Sequence, residues 1–392
     1  MTAIKGILRS ATLSLAVLGL ATSHVSAQPA PIKIGVVLGF TGLSAVLGAQ
    51  VNDAIAAFTQ EHGDTIAGRK VVIVRRDTGG PIPDAAARVT QDLIVNEKVD
   101  LIVGPEYSPS TAAITRISTE SKKPVFVITA TQNGIIDNAP YMVLFGFSQR
   151  QYEAPFARWT ARNGIRNVFM LYANFTAGID AVNTFREIYT GAGGNVVGDV
   201  GFPLNAIEFS AYAQRIKDAK PDALWLFLVP GVQPGLILKA LHDVGAIGPG
   251  SKMKILDNGG ITDEPNLDGM GDAALGVISS FIYSDAHASR VNRDFVDRFE
   301  KIDPKNRPDF IGAITYDCMA AAYKVLAAQN GVIDPDKTMA LVKGMKFEGP
   351  RGPVEIDPAT RTATQNVYIR RVERRGGHLV NVEFETFPML KT

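Results

Sequence analysis

The residues that most often perform catalysis are present in this chain but are not arranged for it. After residue 27, histidines stand at His62, His242, His287 and His378, far apart and without the spacing of paired metal ligands. The sequence has no GxSxG nucleophile elbow, no HExxH zinc motif, no phosphate-binding P-loop and no CxxC pair. This pattern favours binding over catalysis. We therefore predict that the protein is not an enzyme and has no metal site or cofactor.

Two other features with chemical potential have simpler structural explanations. Gly39, Gly42 and Gly48 follow the first apolar run, but their spacing differs from the dinucleotide-binding motif GxGxxG. Cys318 is the only cysteine, so it cannot form a disulfide within the chain. Its apolar neighbours predict a buried small side chain rather than a reactive thiol.

The N-terminus has the three parts of a secretory signal in the required order. Lys5 and Arg9 give a positive start, residues 11–21 are apolar and uncharged, and residues 25–27 (VSA) form a small-residue cleavage pattern. The apolar run is too short to span a bilayer comfortably. We predict a signal peptide over residues 1–27, cleaved after Ala27, and a soluble periplasmic protein.

Composition predicts a globular chain with two domains. The 392 residues are 46% hydrophobic and 20% charged with a formal net charge of +1, and this length exceeds what one core usually serves. The densest basic cluster is Arg370, Arg371, Arg374 and Arg375, which follows an alternating, strand-like stretch. We interpret it as a solvated strand or hairpin edge, and we predict no nucleic-acid binding.

Short apolar runs alternate with amphipathic helices from residue 31 onward, and the alternation starts over once. The first series has strands at Ile32–Leu38 and at residues 71–74, 101–103 and 125–128, with helices at 48–61 and 84–96 and one through Ile114 and Ile117. The second has strands at residues 168–172, 196–200, 223–229 and 253–256, with helices at 152–162, 181–189, 209–219 and 236–244. Apolar strands separated by helices predict parallel sheets buried on both faces. We therefore expect an α/β protein with two doubly wound parallel-sheet lobes.

The last third of the chain is too small for another domain. From about residue 276 it holds a strand, long helices near residues 291–301 and 313–329, and a Gly/Pro-rich strand region at 347–356. We expect this part to complete the first two lobes. A chain that crosses between lobes more than once forms a hinge.

Several segments, in order, resemble the leucine/isoleucine/valine-type periplasmic binding proteins. They are residues 40–45 (FTGLSA) with Gly48, 66–77 (IAGRKVVIVRRD), 98–105 (KVDLIVGP), 208–213 (EFSAYA), 221–224 (PDAL) and 347–354 (FEGPRGPV). No single motif is decisive, but their order and spacing cover nearly the whole chain after residue 27.

This resemblance implies the type I periplasmic binding fold, with two lobes, three hinge crossings and a ligand between the lobes. We expect an N-terminal lobe of residues 28–147 plus 282–348 and a C-terminal lobe of 148–281 plus 349–392. The crossings are expected near residues 147–148, 280–283 and 349–354. The expected protein is a monomer that delivers a small solute to an ABC permease in the inner membrane.

By position in the family, Leu47 would line the side-chain pocket, and Ser108 would be the hydroxyl that binds the ligand carboxylate. Ala130 and Thr131 fall in the second carboxylate-binding loop, which is one residue shorter here. A hydroxyl beside the free N–H groups of a helix start is a sound anion site. The alternative is that Ser108 and Ser110 only cap the helix.

Two departures from the family bear on the ligand. Ala177 stands where the family has a tyrosine, and Gly259 stands near the position of the acidic residue that holds a ligand ammonium. A buried ammonium without a counter-charge costs several kcal/mol. We therefore expect a small organic carboxylate without an amino group, unless Asp257 or Glu106 supplies the charge.

Aromatic side chains could form the walls of the pocket, so an aromatic acid is allowed, although each ring could equally be core. The predicted ligand contacts are Thr41, Leu47, Tyr107, Ser108, Ala130, Thr131, Tyr172, Phe175, Asn258 and Tyr283. The alternatives are a branched-chain amino-acid carrier with a relocated carboxylate and a ligand-presenting sensor protein.

Overall fold

The computed structural model describes residues 29–228 and 232–391. The predicted signal peptide lies outside the described residues.

The first lobe is built on a six-stranded sheet in the order β2-β3-β1-β4-β5-β6. All neighbours are parallel except the short β2–β3 pair. The strands are β1 (Ile32–Leu38), β2 (Thr65–Ile66), β3 (Arg69–Asp77), β4 (Leu101–Val103), β5 (Val125–Val127) and β6 (Met142–Leu144). Strands β4, β5 and β6 are wholly buried, as expected for a parallel sheet covered on both faces.

Helices cover both faces of this sheet. They are α1 (Ala45–His62), α2 (Pro83–Val95), α3 (Ser108–Ser121) and, from much later in the chain, α9 (Arg290–Ile302), α10 (Phe310–Ala327) and α11 (Pro335–Val342). Helix α1 packs against α9 and α10, and α2 packs against α3. Val51, Ile55 and Phe58, which share one face of α1, are buried.

The second lobe contains a larger, mixed sheet. Its parallel part runs β8-β7-β9-β10-β11, and antiparallel strands β14, β13 and β12 extend it, with β15 paired to β14. The strands are β7 (Asn167–Ala173), β8 (Asn195–Phe202), β9 (Ala223–Phe227), β10 (Lys254–Asp257), β11 (Ile278–Phe281), β12 (Lys346–Gly349), β13 (Gly352–Ile356), β14 (Ala363–Arg375) and β15 (His378–Leu390). The helices of this lobe are α4 (Gln149–Arg162), α5 (Thr176–Gly191), α6 (Ser210–Ala219), α7 (Val232–Asp243) and α8 (Glu264–Leu267).

The chain passes between the two sheets three times. It leaves the first sheet after β6 to enter α4, returns after β11 to reach α9, and passes back after α11 into β12 and β13. The third passage is shared between the lobes, because Val354 and Ile356 of β13 belong to the apolar core of the first lobe. The exact lobe bounds stay a prediction.

The long β14–β15 hairpin places Arg370 differently from the prediction for the basic cluster. Arg370 is fully buried rather than solvated. Its Nε donates to Ser279 Oγ at 3.1 Å, and its Nη1 lies 3.5 Å from Glu264 Oε1. Alternation along one strand could not reveal this, since the Glu264 partner is 106 residues away in sequence.

Helix α10 is the one described helix that is long and apolar enough to span a membrane, but it is a core helix. Of its residues, 72% are buried inside the protein. Cys318 on this helix is fully buried and unpaired, as its apolar surroundings predicted.

A buried guanidinium joins the first and third crossings. Arg351 lies in the turn between β12 and β13, and its Nε donates to Asp317 Oδ2 of α10 at 2.6 Å. Its Nη2 donates to the carbonyl of Phe145 at 2.7 Å, and its Nη1 donates to the side-chain oxygen of Gln365. Gln365 in turn donates to the carbonyl of Gly146 at 2.9 Å. The two crossings are therefore connected by one hydrogen-bonded network.

Replacing Arg351 with methionine is expected to destabilise the protein by about 3–5 kcal/mol, because the Asp317 carboxylate is then buried without its partner. Urea unfolding measures the change. The double variant Arg351→Met/Asp317→Asn should lose less free energy of unfolding than the sum of the losses in the two single variants, because it leaves no unpaired buried charge. The exposed Arg374→Met is the matched control, since its ion pair with Asp272 lies at the surface. A wild-type stability for Arg351→Met would contradict this role.

Candidate functional site

Two loops at the carboxyl edge of the first sheet meet through Ser108. This residue is the first of α3, and its Oγ accepts a hydrogen bond from the backbone N–H of Gln132 at 3.2 Å. The loop after β4 is therefore held beside the loop after β5, which carries Ala130 and Thr131. The carbonyl of Thr131 accepts from the N–H of Gln149 at 3.1 Å, so the same loop reaches the start of α4.

The structure does not support a capping role for the serines of α3. The N-cap position is Tyr107, and its side chain makes no capping hydrogen bond. Ser110 is fully buried, and its Oγ has no partner within the described residues. Pro109 has no N–H, and the N–H of Thr111 donates to the carbonyl of Tyr107 at 2.9 Å. The first turn of α3 therefore offers the N–H groups of Ser108 and Ser110 together with their hydroxyls, an arrangement that suits an anion.

Glu106 is buried and accepts a hydrogen bond from its own lobe. Its Oε1 accepts from the N–H of Gly39 at 2.8 Å, and its other oxygen has no partner in the described part of the chain. Burial raises the pKa of Glu106 to about 7. The hydrogen bond from Gly39 acts in the opposite direction, and the negative charge of Asp77 contributes to the increase. Tyr107 lies beside it with its hydroxyl 3.3 Å from Ser44 Oγ.

Thr41 and Leu47 lie at the other end of this edge. The hydroxyl of Thr41 donates to Asp77 Oδ2 at 2.6 Å, and Thr41 is exposed. Leu47 is half-buried and packs against the core of the first lobe. The predicted first-lobe contacts thus lie on the loops after β1, β4 and β5 and on the first turns of α1 and α3. These three strands are neighbours in the sheet.

In the second lobe, Tyr172 and Phe175 lie at the end of β7 and are half-buried. The ring of Phe175 is 5.9 Å from that of Phe227, and it packs against both apolar clusters of this lobe. Phe175 therefore has a structural role whether or not it also contacts a ligand. Asn258 follows β10 and is buried, with its Oδ1 3.4 Å from the N–H of Gly260.

The structure gives a physical reason for the glycine at position 259. Gly259 has φ +98°, a conformation that L side chains rarely adopt, and an added Cβ would lie 2.4 Å from the ring of Phe281. An acidic side chain therefore does not fit here. Asp257 is fully buried, and its Oδ2 accepts from the N–H groups of Ile261 at 3.0 Å and Thr262 at 3.3 Å. Burial raises the pKa of Asp257 to about 6.

Tyr283 is the predicted contact in the segment that follows β11. It is fully buried at the second crossing, and its hydroxyl has no partner in the residues that the structure describes. Its carbonyl accepts a hydrogen bond from Arg370. Tyr283 belongs to the apolar core of the first lobe.

Sequence reasoning missed the polar face at the start of α4. Gln149, Tyr152 and Glu153 share one helical face and are all buried. The amide of Gln149 donates to the carbonyl of Ala177 at 3.0 Å, and the hydroxyl of Tyr152 donates to Gln149 Oε1. Burial, and next the nearby Asp257, raise the pKa of Glu153 well above its ordinary value. The i, i+3, i+4 spacing was the available signal, but polar residues at a helix start are usually exposed.

Within residues 29–228 and 232–391, no group of three or more His, Cys, Asp or Glu residues could hold a metal ion.

Comparison with known proteins places this architecture in a family. A family model for periplasmic binding proteins matches residues 31–377. The Leu/Ile/Val-binding protein homolog 6 of Brucella abortus is 34% identical over 379 residues, which is 96% of each chain.

Solved structures agree with this placement. A solute-binding protein of an ABC transporter from Rhodopseudomonas palustris BisB5, in complex with 3,4-dihydroxybenzoic acid, has a TM-score of 0.87 and 38% identity over 92% of this chain and 98% of that one. Another from R. palustris, bound to 4-hydroxybenzoate, has a TM-score of 0.86 and 34% identity over the same shares. The leucine-binding protein of Thermotoga maritima shares the fold, with a TM-score of 0.78 at 24% identity over 91% of this chain and 99% of that one. The chain therefore belongs to the periplasmic binding protein family.

Proposed function

We propose that this protein is the solute-binding component of an ABC importer and that it captures a small aromatic carboxylate between its lobes. Two observations together carry the proposal. In the first lobe, Ser108 and the loop with Thr131 offer hydrogen-bond donors for a carboxylate. In the second lobe, Gly259 excludes an acidic side chain that could pair with an ammonium. Similar proteins that bind 3,4-dihydroxybenzoic acid and 4-hydroxybenzoate support the same ligand class.

The branched-chain amino-acid alternative needs a carboxylate to pair with the ligand ammonium. Asp257 and Glu106 were the candidates, and each accepts hydrogen bonds from its own backbone surroundings. Burial raises the pKa of both carboxyls, so the charged form that an ammonium requires is less favourable in these positions than in water. The name of the Brucella relative favours the amino-acid reading, but the chemistry of this site favours the acid.

Transport rather than sensing is the role we favour, because the R. palustris proteins at 34–38% identity are components of ABC transporters. Export is part of the proposal. The segment before Gln28 is proposed to direct secretion and to be removed after Ala27. An intact mass of the exported protein that begins at Gln28 is the expected result.

The ligand class is tested by calorimetry with 4-hydroxybenzoate. Replacing Ser108 with alanine should weaken binding ten- to a hundredfold, because a hydrogen bond to a charged group is worth about 1.5–3 kcal/mol. Ser121→Ala is the matched control, since Ser121 is exposed at the far end of the same helix. No binding of 4-hydroxybenzoate to the wild type, or equal affinity for the Ser108 variant, would argue against the proposed carboxylate site.

The raised pKa of Glu106 also predicts a pH dependence of stability. Between its ordinary pKa of 4.5 and about 7, the folded state keeps the proton while the unfolded chain releases it. The free energy of unfolding therefore falls as pH rises through this window and is level above it. Glu106→Gln keeps the acceptor for Gly39 and cannot ionise, so it should gain up to about 3 kcal/mol over wild type between pH 4.5 and 8.

Urea unfolding at pH 4.5 and pH 8 measures this difference. Glu120→Gln, an exposed change on α3, controls for the loss of one charge. If the free energy of unfolding of wild type and of Glu106→Gln changed equally between pH 4.5 and pH 8, the pKa of Glu106 would not be raised in the folded protein.

A further inference from the structure

A second cavity lies beside the hinge, where the loop after β5, the start of α4 and the third crossing meet. Its volume is about 320 Å³, and its lining includes residues 132–137, Leu144, Ser148, Arg150, Thr360 and Thr362. None of the ten predicted ligand contacts lines it. The pocket adjoins the site at Ser108 and Thr131 through Gln132, which lines the pocket and whose N–H donates to Ser108 Oγ. Its own polar group is the hydroxyl of Ser148, so a ligand for it would not depend on the proposed function.

Ser148 is the feature of this pocket that most needs a partner. It is 1% exposed, and its Oγ has no hydrogen-bond partner among the described residues. It occupies the N-cap position of the 14-residue helix α4, yet its side chain makes no capping bond. A buried hydroxyl without a partner costs about 1–3 kcal/mol, so a ligand that accepts its proton is favoured.

The charge around Ser148 favours an anion. The N–H groups of Gln149 and Gln151 are bonded to the carbonyls of Thr131 and Ser148, each at 3.1 Å. The N–H of Arg150 between them has no acceptor in the described residues. The N-terminus of a helix carries a partial positive charge, and the Arg150 guanidinium adds a full one at the pocket.

The acidic groups nearby do not cancel this charge. Arg150 is 3.8 Å from Glu187, but their side chains are 52% and 69% exposed, so the pair is weak. Asp137 is the acidic residue of the lining and is exposed to solvent. Among the lining residues, the helix start at Ser148 therefore has no buried carboxylate beside it.

The lining also contains aliphatic side chains. Ile136 is 1% exposed, Leu144 is 2% exposed, and Ile135 is half-buried. A pocket with an anion site at one end and aliphatic side chains along its wall suits an anion that carries an apolar body. A fully hydrated inorganic anion would leave the aliphatic wall unused.

We propose that this pocket is a second ligand site, which binds a small organic carboxylate with its oxygens at Ser148 Oγ and the N–H of Arg150 and its apolar body against Ile136 and Leu144. The lining comes from the first sheet, from α4 and from the segment between β13 and β14. A bound carboxylate therefore contacts both sides of the hinge, and its affinity is coupled to the lobe arrangement.

Fluorine NMR with 4-fluorobenzoate tests the proposal on the whole mature protein. Two bound resonances are expected, one for the cleft and one for the second pocket. Ser148→Ala and Arg150→Ala should each lower the affinity of 4-fluorobenzoate for the second pocket about tenfold or more, read from the titration of the second resonance. Neither change should alter the first resonance. Arg158→Ala is the matched control, because Arg158 is exposed two turns further along the same helix. Circular dichroism checks that each variant is folded.

Inorganic phosphate at the same concentration should not displace the second resonance; displacement would overturn the preference for an organic carboxylate. A single bound resonance that responds to Ser108→Ala would overturn the second site and leave the proposed function intact. A single bound resonance that responds to Ser148→Ala but not to Ser108→Ala would support the second site and count against the proposed function. Two resonances that both persist in the Ser148 and Arg150 variants would also overturn the second site.

Discussion

Arg351 lies where the third passage of the chain meets the first, and its buried guanidinium makes bonds to three separate parts of the protein. Asp317 belongs to a core helix of the first lobe, Phe145 directly follows β6, the last strand of the first sheet, and Gln365 belongs to β14 of the second sheet. Lysine could not replace this planar fork, since a single ammonium lacks its fixed set of donors. The relation between the two sheets depends on this network, because it joins segments that are more than 200 residues apart in sequence.

The same network determines where the ligand loops lie. Gly146 directly follows Phe145, whose carbonyl accepts a hydrogen bond from Arg351. Its backbone lies so close to the loop after β5 that an added Cβ would be 2.6 Å from the carbonyl oxygen of Ile128. The loop with Ala130 and Thr131 is therefore positioned by the first crossing. Through Thr131 it holds the start of α4, and through Gln132 it holds Ser108. A displacement of the crossing would thus move the proposed carboxylate site.

Local pattern predicted the parallel strands well, because strands buried on both faces are continuously apolar. Strands β1 and β4 have the predicted bounds. Helix α4 begins at Gln149, three residues before the predicted start, because its first turn is polar and lacks an apolar period. The hairpin of β14 and β15 was only partly foreseen, and the burial of Arg370 depends on partners in another part of the chain.

The resemblance to periplasmic binding proteins pointed to Ser108 and Thr131 by position, and the structure brings them together. It could not reveal Ser148, since an unpaired hydroxyl is a property of three-dimensional packing. By the same resemblance, Gly259 stands near the position of the acidic residue that holds a ligand ammonium. The contact with Phe281 adds that no side chain fits there.

The central claim is that the cleft recognises a carboxylate and has no partner for an ammonium. Calorimetry on matched pairs tests it most directly, with 3-phenylpropanoate against phenylalanine and 4-methyl-2-oxopentanoate against leucine. The account predicts that each acid binds more tightly than its amino-acid counterpart, because an unpaired ammonium costs several kcal/mol when buried. Tighter binding of phenylalanine or leucine would contradict it and would show that a carboxylate of this chain pairs with the amine.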